Sequence, residues 1–426
     1  MKKFCIRILV FILLFALCFA GLQGILHYRW SGNEDLYTRN ILYSQASPDS
    51  IDVLCIGTSE LYAMYDPIVT YEEAGITGYN FAITFRCAMT AYYQLLYALE
   101  YQTPSVVICD FVSLFDDVLP RNQESIYRKV VESMPDKALK EQMIREICAV
   151  DDTQSYLSWK FPMLRYHSLW SELTEKNFQP DHQVNAAYPA FKKGAMLNNE
   201  RYQKEPLAIT PDLWDYTEAV DTFSEFSVGY YDKIIELCRS KGIEVVAVTP
   251  PKIQDAAVYA ANADKMHAYF EAREVPWLNY CTYDQVQRLG LNLEDYYYDR
   301  SHLNVSGSIV LSRALAHDLT EVMNLEDHRG DPAYAAEWED VLPQFHTWLD
   351  EIGVSASRPV SVPCVRLFHE LHVKAIQHRA DRDAEKHSQY PECLAADRDG
   401  HQHKQAGEAN GLPHNLWIDQ IALHLL

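Results

Sequence analysis

A serine, an aspartate and a histidine are spaced in this chain as a nucleophilic relay would require. Gly57-Thr58-Ser59 follows an apolar run at residues 51–56 (IDVLCI), and Asp299 and His302 lie three apart in the turn Tyr298-Asp299-Arg300-Ser301-His302. A serine just past a buried strand, at the start of a helix, exposes its hydroxyl and aims its own N–H at the same space, as an oxyanion donor must. An aspartate three residues before a histidine lets one short turn carry both halves of an acid–base pair. The carboxylate holds the imidazole in one tautomer, and the imidazole takes the proton of Ser59 and delivers it to a leaving group. Asn304 or Ser306 would cap the next helix and tie His302 to a rigid element. Each piece alone has a plainer reading. A serine at a helix start is commonly an N-cap, and an Asp-x-x-His turn can be a surface feature.

The elements that must position these residues alternate regularly. Residues 51–56 read as a buried parallel strand, 78–83 (GYNFAI) as a second strand, 105–110 (SVVICD) as a third, buried strand, 243–248 (IEVVAV) as a fourth and 275–280 (VPWLNY) as a fifth. The last is edge-like, because Pro276 lacks an N–H donor. Helices are predicted over 88–101, 228–240, 260–273 and 304–323, with Lys241-Gly242 as a helix stop. Strands alternating with helices at this spacing indicate an α/β fold. The rhythm breaks between about 118 and 220. That region contains a helical pattern at 137–150 and a polar loop (LNNERYQKEP) starting at Leu197, and is expected to be an insertion that caps or lines the site.

The ends of the chain differ from its middle. Lys2, Lys3 and Arg7 precede the uncharged run 8–26 (ILVFILLFALCFAGLQGIL). Its length suits a bilayer-spanning helix, for which roughly 20 residues are needed. The basic start predicts a cytoplasmic N-terminus and an extracytoplasmic body. A retained signal anchor over 1–26 is the first reading, and a signal peptide cleaved near Cys18-Phe19-Ala20 is the alternative, which would leave the body secreted. Residues 27–50 are expected to be a polar connector. The tail, 324–426, carries ten of the sixteen histidines and stretches such as ADRDGHQHKQAGEANG, and is expected to be a partly disordered extension. His369 and His372 could share a helical face, but no metal site is assigned.

Composition excludes several classes. The net charge of −22 opposes nucleic-acid binding, which relies on Lys and Arg. The ten cysteines form no CxxC, and no Cys/His cluster has structural zinc spacing. Cys55 and Cys109 fall inside predicted strands and should be buried thiols. No dinucleotide fingerprint follows the first strand and no HExxH occurs, so no cofactor is expected.

The pair Gly57-Thr58-Ser59 and Asp299-Arg300-Ser301-His302 resembles the nucleophile and terminal blocks of the SGNH, or GDSL-like, hydrolase superfamily, over about residues 51–323. The resemblance implies a three-layer α/β/α fold, flavodoxin-like, with a mostly parallel five-stranded sheet. It implies Ser59 as nucleophile, His302 as base and Asp299 as its orienter. In the family's second block a glycine N–H joins the oxyanion hole, and Ala82 of Asn80-Phe81-Ala82 holds that place here. The third block departs from the pattern. Cys109-Asp110-Phe111-Val112-Ser113 has no asparagine donor, and losing one oxyanion donor costs about 3 kcal/mol in the transition state. Ser113 could substitute, and Asp110 would lie near the site or cap a turn.

The anchor and the large insertion also look like the membrane-anchored subset similar to DltD and to the alginate and peptidoglycan O-acetylation proteins. That likeness implies esterification or de-esterification of a cell-envelope polymer, such as a polysaccharide or teichoic acid, beside a multi-pass membrane-bound O-acyltransferase. Two alternatives accompany it. One is a small-ester esterase or lipase. The other is a noncatalytic binding or assembly module of an envelope-polymer complex, which the absent asparagine favours.

Overall fold

The computed structural model describes residues 2–26, 33–84, 87–179, 184–204, 207–215 and 218–355. The chain divides into two compact units, Met1–His372 and Val373–Leu426, and the second lies outside the described residues, as do His369 and His372. In chain order the longer elements are α1 (Lys2–Ile25), α2 (Asn33–Ser44), β1 (Val53–Ile56), α3 (Ser59–Met64), α4 (Pro67–Ala74), β2 (Gly78–Asn80), α5 (Ala88–Ala98) and β3 (Val106–Cys109). The insertion follows with α6 (Pro120–Ser133), α7 (Lys137–Val150), α8 (Tyr156–Lys160) and α9 (Pro162–Tyr166), then short 3-10 turns. The α/β rhythm resumes with α10 (Glu225–Ser240), β4 (Glu244–Thr249), α11 (Ala256–Ala261), α12 (Ala263–Glu271), β5 (Trp277–Asn279), α13 (Tyr283–Arg288), α14 (Leu293–Tyr296) and α15 (Val305–Val322). Two further helices, α16 (Pro332–Ala335) and α17 (Leu342–Glu351), close the described chain.

The five strands form one parallel sheet in the order β2-β1-β3-β4-β5. Their side chains alternate between two faces, as the period of two requires. Leu54, Ile56, Val107, Cys109, Val245 and Ala247 enter one core with residues of α5, α10 and α12. Val53, Cys55, Val106, Ile108, Val246 and Val248 enter the other, with Leu61 and Met64 of α3 and Leu311 and Leu315 of α15. Both faces are covered, which is why β1, β3 and the middle of β4 are apolar throughout rather than alternating. The chain passes from β1 to β2 on one side and then crosses to β3 on the other. The carboxyl ends of β1 and β3 therefore flank a switch point, the place where open α/β sheets hold their ligands.

Three regions differ from the expectations. The 27–50 connector is not a plain spacer: α2 buries Leu36, Arg39 and Tyr43 against the body, because its apolar and aromatic residues recur at helical spacing. The helix expected over 260–273 is two helices broken at Asn262, whose side chain bonds the Val258 carbonyl and the Val220 N–H. The start of the 324–426 extension is folded: Trp338, Phe345 and Leu349 are buried in the first core. Eight cysteines are free thiols, with Cys55 and Cys109 buried, and there is no disulfide among the described residues. α1 is 24 residues long, none of them buried, and is long and apolar enough to cross a membrane or to serve as a signal sequence.

Trp338 lies fully buried against Tyr71, ring centroids 5.1 Å apart, with the Lys193 ammonium 4.5 Å over its ring. Trp338→Ala removes a large core side chain and should cost about 3–5 kcal/mol. Urea unfolding of the variant, followed by far-UV circular dichroism, measures it, and a loss under ~1 kcal/mol would show that the segment does not stabilise the body.

Candidate active site

Ser59 is the first residue of α3. Thr58 occupies the capping position, and its hydroxyl accepts the Glu60 N–H at 3.3 Å. The Ser59 hydroxyl is thereby left free of the N-cap role. Its Oγ lies 2.8 Å from His302 Nε2, although 243 positions separate the two in the chain. The Ser59 N–H, an orphan donor of the first helical turn, has no acceptor among the described residues.

The histidine turn is tightly constrained. His302 Nδ1 is 2.8 and 2.9 Å from the two Asp299 oxygens, and the Ser301 and His302 N–H groups donate to Asp299 Oδ1 at 2.7 and 2.8 Å. Partial burial pushes the Asp299 carboxyl up, but these hydrogen bonds and the imidazole outweigh it and hold the group below the usual carboxylate range. The Arg300 carbonyl accepts the Ile253 and Gln254 N–H groups, which ties the turn to the loop after β4. Asn304 caps α15 by accepting the Gly307 N–H, and its amide donates to the Asp295 carbonyl at 2.9 Å. Gly307 has to be glycine for space, since a Cβ there would come 2.3 Å from the Tyr296 carbonyl oxygen. With Nδ1–H directed at Asp299, Nε2 is the acceptor for the Ser59 hydroxyl, the arrangement a serine nucleophile requires.

Asp110 braces the Gly57-Thr58-Ser59 turn from behind. It is buried, and its Oδ2 accepts the Thr58 N–H at 2.8 Å. Burial pushes its carboxyl up to about 6, hydrogen bonds from Thr58 oppose that, and the nearby Glu60 charge reinforces it. Gly57 makes the approach feasible. It sits at φ +144, and a Cβ there would meet Leu61 Cδ1 at 2.8 Å and Asp110 Cγ at 2.9 Å. The motif glycine is therefore explained by Asp110, a residue 53 positions later.

Two other expected residues point elsewhere. The Ala82 N–H donates to Asn80 Oδ1 at 3.0 Å, so it is engaged locally rather than offered to an oxyanion. The Asn80 amide donates to the Leu61 and Tyr65 carbonyls, which makes it a clamp between β2 and the end of α3. Ser113 is fully buried, with Oγ 2.7 Å from the Tyr231 hydroxyl, and its role is to fix the turn after β3. Ser113 does not replace the missing asparagine, because its hydroxyl is bound into the core. Phe111, in the same turn, adopts the left-handed conformation at φ 51, rare for a bulky side chain.

Sequence reasoning missed several neighbours. Tyr298 and Tyr62 lie nearly parallel to the His302 imidazole, at centroid distances of 5.2 and 6.4 Å and interplanar angles of 6° and 14°. Desolvation raises both phenols. The Tyr296-Tyr297-Tyr298 run was a visible signal for one of them. Glu60, next to the nucleophile, pairs at 2.9 Å with Lys252, which is fully buried. Lys252 follows Pro250-Pro251 at the carboxyl end of β4, and no local pattern marks it as a partner of Glu60.

A cleft of about 530 Å³ opens beside the histidine. Tyr62 and Tyr298 line it from the site, Tyr188, Asn185 and Lys192 from the insertion, and Asp35 from α2. The insertion lines this cleft, whereas Ser59, Asp299 and His302 are not among its lining residues. Behind this wall Arg39 is fully buried and donates to the Ala82 and Gly194 carbonyls. Desolvation lowers its pKa, and Tyr188, Tyr79 and Tyr62 lie nearby. No group of three His, Cys, Asp or Glu that could hold a metal occurs among the described residues.

Comparisons with protein-family models, with curated proteins and with solved structures found no match.

Two substitutions test the brace. A raised acid binds its proton more tightly in the native state, so the Asp110 contribution to stability is lost as pH rises from about 4 through about 6. Asp110→Asn should therefore gain on the native protein by about 2–3 kcal/mol between pH 4 and pH 8, measured by urea unfolding across that range. A difference independent of pH would show that Asp110 ionises normally. Gly57→Ala should cost about 1–3 kcal/mol, and its crystal structure should show Thr58 displaced from Asp110. An undisplaced turn at native stability would remove the argument for glycine at this position.

Proposed function

We propose that this protein is a serine-dependent ester hydrolase or O-acyltransferase of the SGNH type, acting on a cell-envelope polymer through an acyl-enzyme on Ser59. The observation that carries this reading is the continuous hydrogen-bond chain from Asp299 through His302 to Ser59 Oγ, at the carboxyl edge of a parallel sheet. A buried carboxylate, Asp110, holds the turn that presents the serine.

The chemistry follows from that order. Ser59 Oγ attacks the carbonyl carbon of an ester while His302 Nε2 takes its proton. The negative charge that develops on the carbonyl oxygen is met by the Ser59 N–H. Collapse breaks the ester bond, and His302 returns the proton to the departing alcohol. An acceptor hydroxyl or water, deprotonated by His302, then attacks the acyl-serine and releases Ser59. Asp299 stays ionised throughout and stabilises the imidazolium, in keeping with its lowered pKa. The cleft lined by tyrosines and amides suits a carbohydrate-like acceptor, whose sugar faces stack on aromatic rings and whose hydroxyls need hydrogen-bond partners. α1 would hold the catalytic body at the outer membrane surface with the N-terminus in the cytoplasm, near a multi-pass O-acyltransferase that supplies the acyl group.

One observation favours a second reading, a noncatalytic binding module. The Ala82 N–H and the Ser113 hydroxyl are both engaged internally, which leaves the Ser59 N–H as the donor at the oxyanion position among the described residues.

Labelling separates the two. The full-length protein in detergent should react with a fluorophosphonate probe at Ser59, identified by peptide mass spectrometry. Ser59→Ala should abolish the adduct, and His302→Ala should slow it about 10²–10⁴-fold. A folded protein whose Ser59 remains unlabelled, or labels equally in the His302 variant, sinks the enzymatic reading.

A further inference from the structure

Six large hydrophobic side chains outside α1 are exposed among the described residues, and five of them fall between positions 157 and 184. Trp170 is 72% and Phe178 65% exposed, and Leu157, Leu164 and Val184 are about half exposed. Scattered single exposures are ordinary, whereas a cluster in one short stretch of a soluble surface is not.

The same stretch touches the last turns of α1. Phe161 meets Phe19 edge-on at 5.5 Å, the Met163 N–H donates to Gln23 Oε1 at 2.7 Å, and the Asn177 amide donates to the Ile25 carbonyl at 3.2 Å. These contacts fall at the carboxyl end of α1, which a helix with basic residues at its start leaves on the outer side of a membrane. Tryptophan and phenylalanine beside such an end sit at the level where headgroups meet acyl chains. The stretch is also nearly neutral in a chain of net charge −22: within 157–179 the charges of Lys160, Arg165 and Lys176 are offset by those of Glu172 and Glu175. Lys160 and Arg165 pair with Glu141 and Glu124 of the helices behind, which holds the face to the body.

We propose that the face formed by residues 157–179 with Val184 is a membrane foot, inserted into the headgroup and upper acyl region of the leaflet from which α1 emerges. It rests on the reading of α1 as a retained membrane helix. The chain leaves this face directly into the cleft wall. Val184 is followed by Asn185, whose amide donates to Asp35 at 3.0 Å and whose N–H donates to the Thr38 hydroxyl at 2.8 Å. Seating the foot in lipid therefore fixes the cleft beside Ser59 close to the bilayer surface, within reach of a membrane-borne acyl donor or a surface polymer.

The test uses the full chain in vesicles of phosphatidylcholine with a minor share of phosphatidylglycerol. A small environment-sensitive fluorophore is placed by nonsense suppression at position 13, 170, 178 or 241, one per sample. Leu13 reports α1 itself. Lys241 is exposed at the amino-terminal edge of the sheet, opposite Ser59, and serves as the water reference. At 170 and 178 the fluorophore should be quenched at least about threefold more than at 241 by a shallow lipid nitroxide, and be shielded from aqueous iodide. Quenching at 170 and 178 equal to that at 241, with position 13 in lipid, overturns the foot and leaves the anchor standing. Position 13 in water takes both down. Shielding from iodide without lipid quenching at 170 and 178 means that protein covers the face, which overturns the proposal in favour of a partner or a second copy.

Discussion

β1 is hydrogen-bonded along both edges, to β2 on one side and β3 on the other, and the site depends on that double pairing. The pairing fixes where the chain ends its first strand, and hence where Gly57, Thr58 and Ser59 leave the sheet. The carboxyl end of β3 lies beside it in register, with Ile56 opposite Cys109. The next residue of each strand path is Gly57 on one and Asp110 on the other. Close approach of the two demands a glycine, and the buried carboxylate then holds the Thr58 N–H. A first strand not paired with β3 would leave the Ser59 turn without this brace.

The histidine arrives by a different route. Its turn is fastened at three places: to Asp299 through backbone and side chain, to the loop after β4 through the Arg300 carbonyl, and to α15 through the Asn304 cap. α15 in turn packs on α3 and α4, where Ser308 and Ser312 donate to the Met64 carbonyl at the end of α3. The helix that carries the serine and the helix that follows the histidine are thus bonded directly to each other. That contact limits how far Ser59 and His302 can drift apart, which is what preorganisation of a nucleophile and its base requires.

Polar groups buried around the site carry the larger electrostatic cost. Glu60 and Lys252 compensate each other, and breaking such a buried pair by removing one member costs about 3–5 kcal/mol. Among the described residues Arg39 has no carboxylate of this kind, and it donates to the Ala82 and Gly194 carbonyls beside tyrosines. Its two acceptors join the segment after β2 to the insertion, so one guanidinium from α2 holds together pieces that are 155 positions apart at the widest.

The five strands, the helix at 137–150, the Gly242 helix stop and the pairing of Asp299 with His302 were legible in the sequence because each is a local pattern. A strand buried on both faces must be apolar throughout, and an Asp three residues before a His has only one short turn in which to reach it. The reading of Ser59 as a candidate nucleophile rests on the motif around it. What the tertiary structure decided was everything that depends on distant partners. It turned Ser113 into the core toward Tyr231, gave the Ala82 N–H to Asn80, and set Asp110 behind Thr58. It drew α2 into the body and folded the segment around Trp338 over Tyr71. It flanked His302 with Tyr62, which lies 240 positions away. Periodicity and motif spacing record what a residue does with its near neighbours along the chain. The partner of a buried donor is chosen by packing, and packing is set by the whole fold.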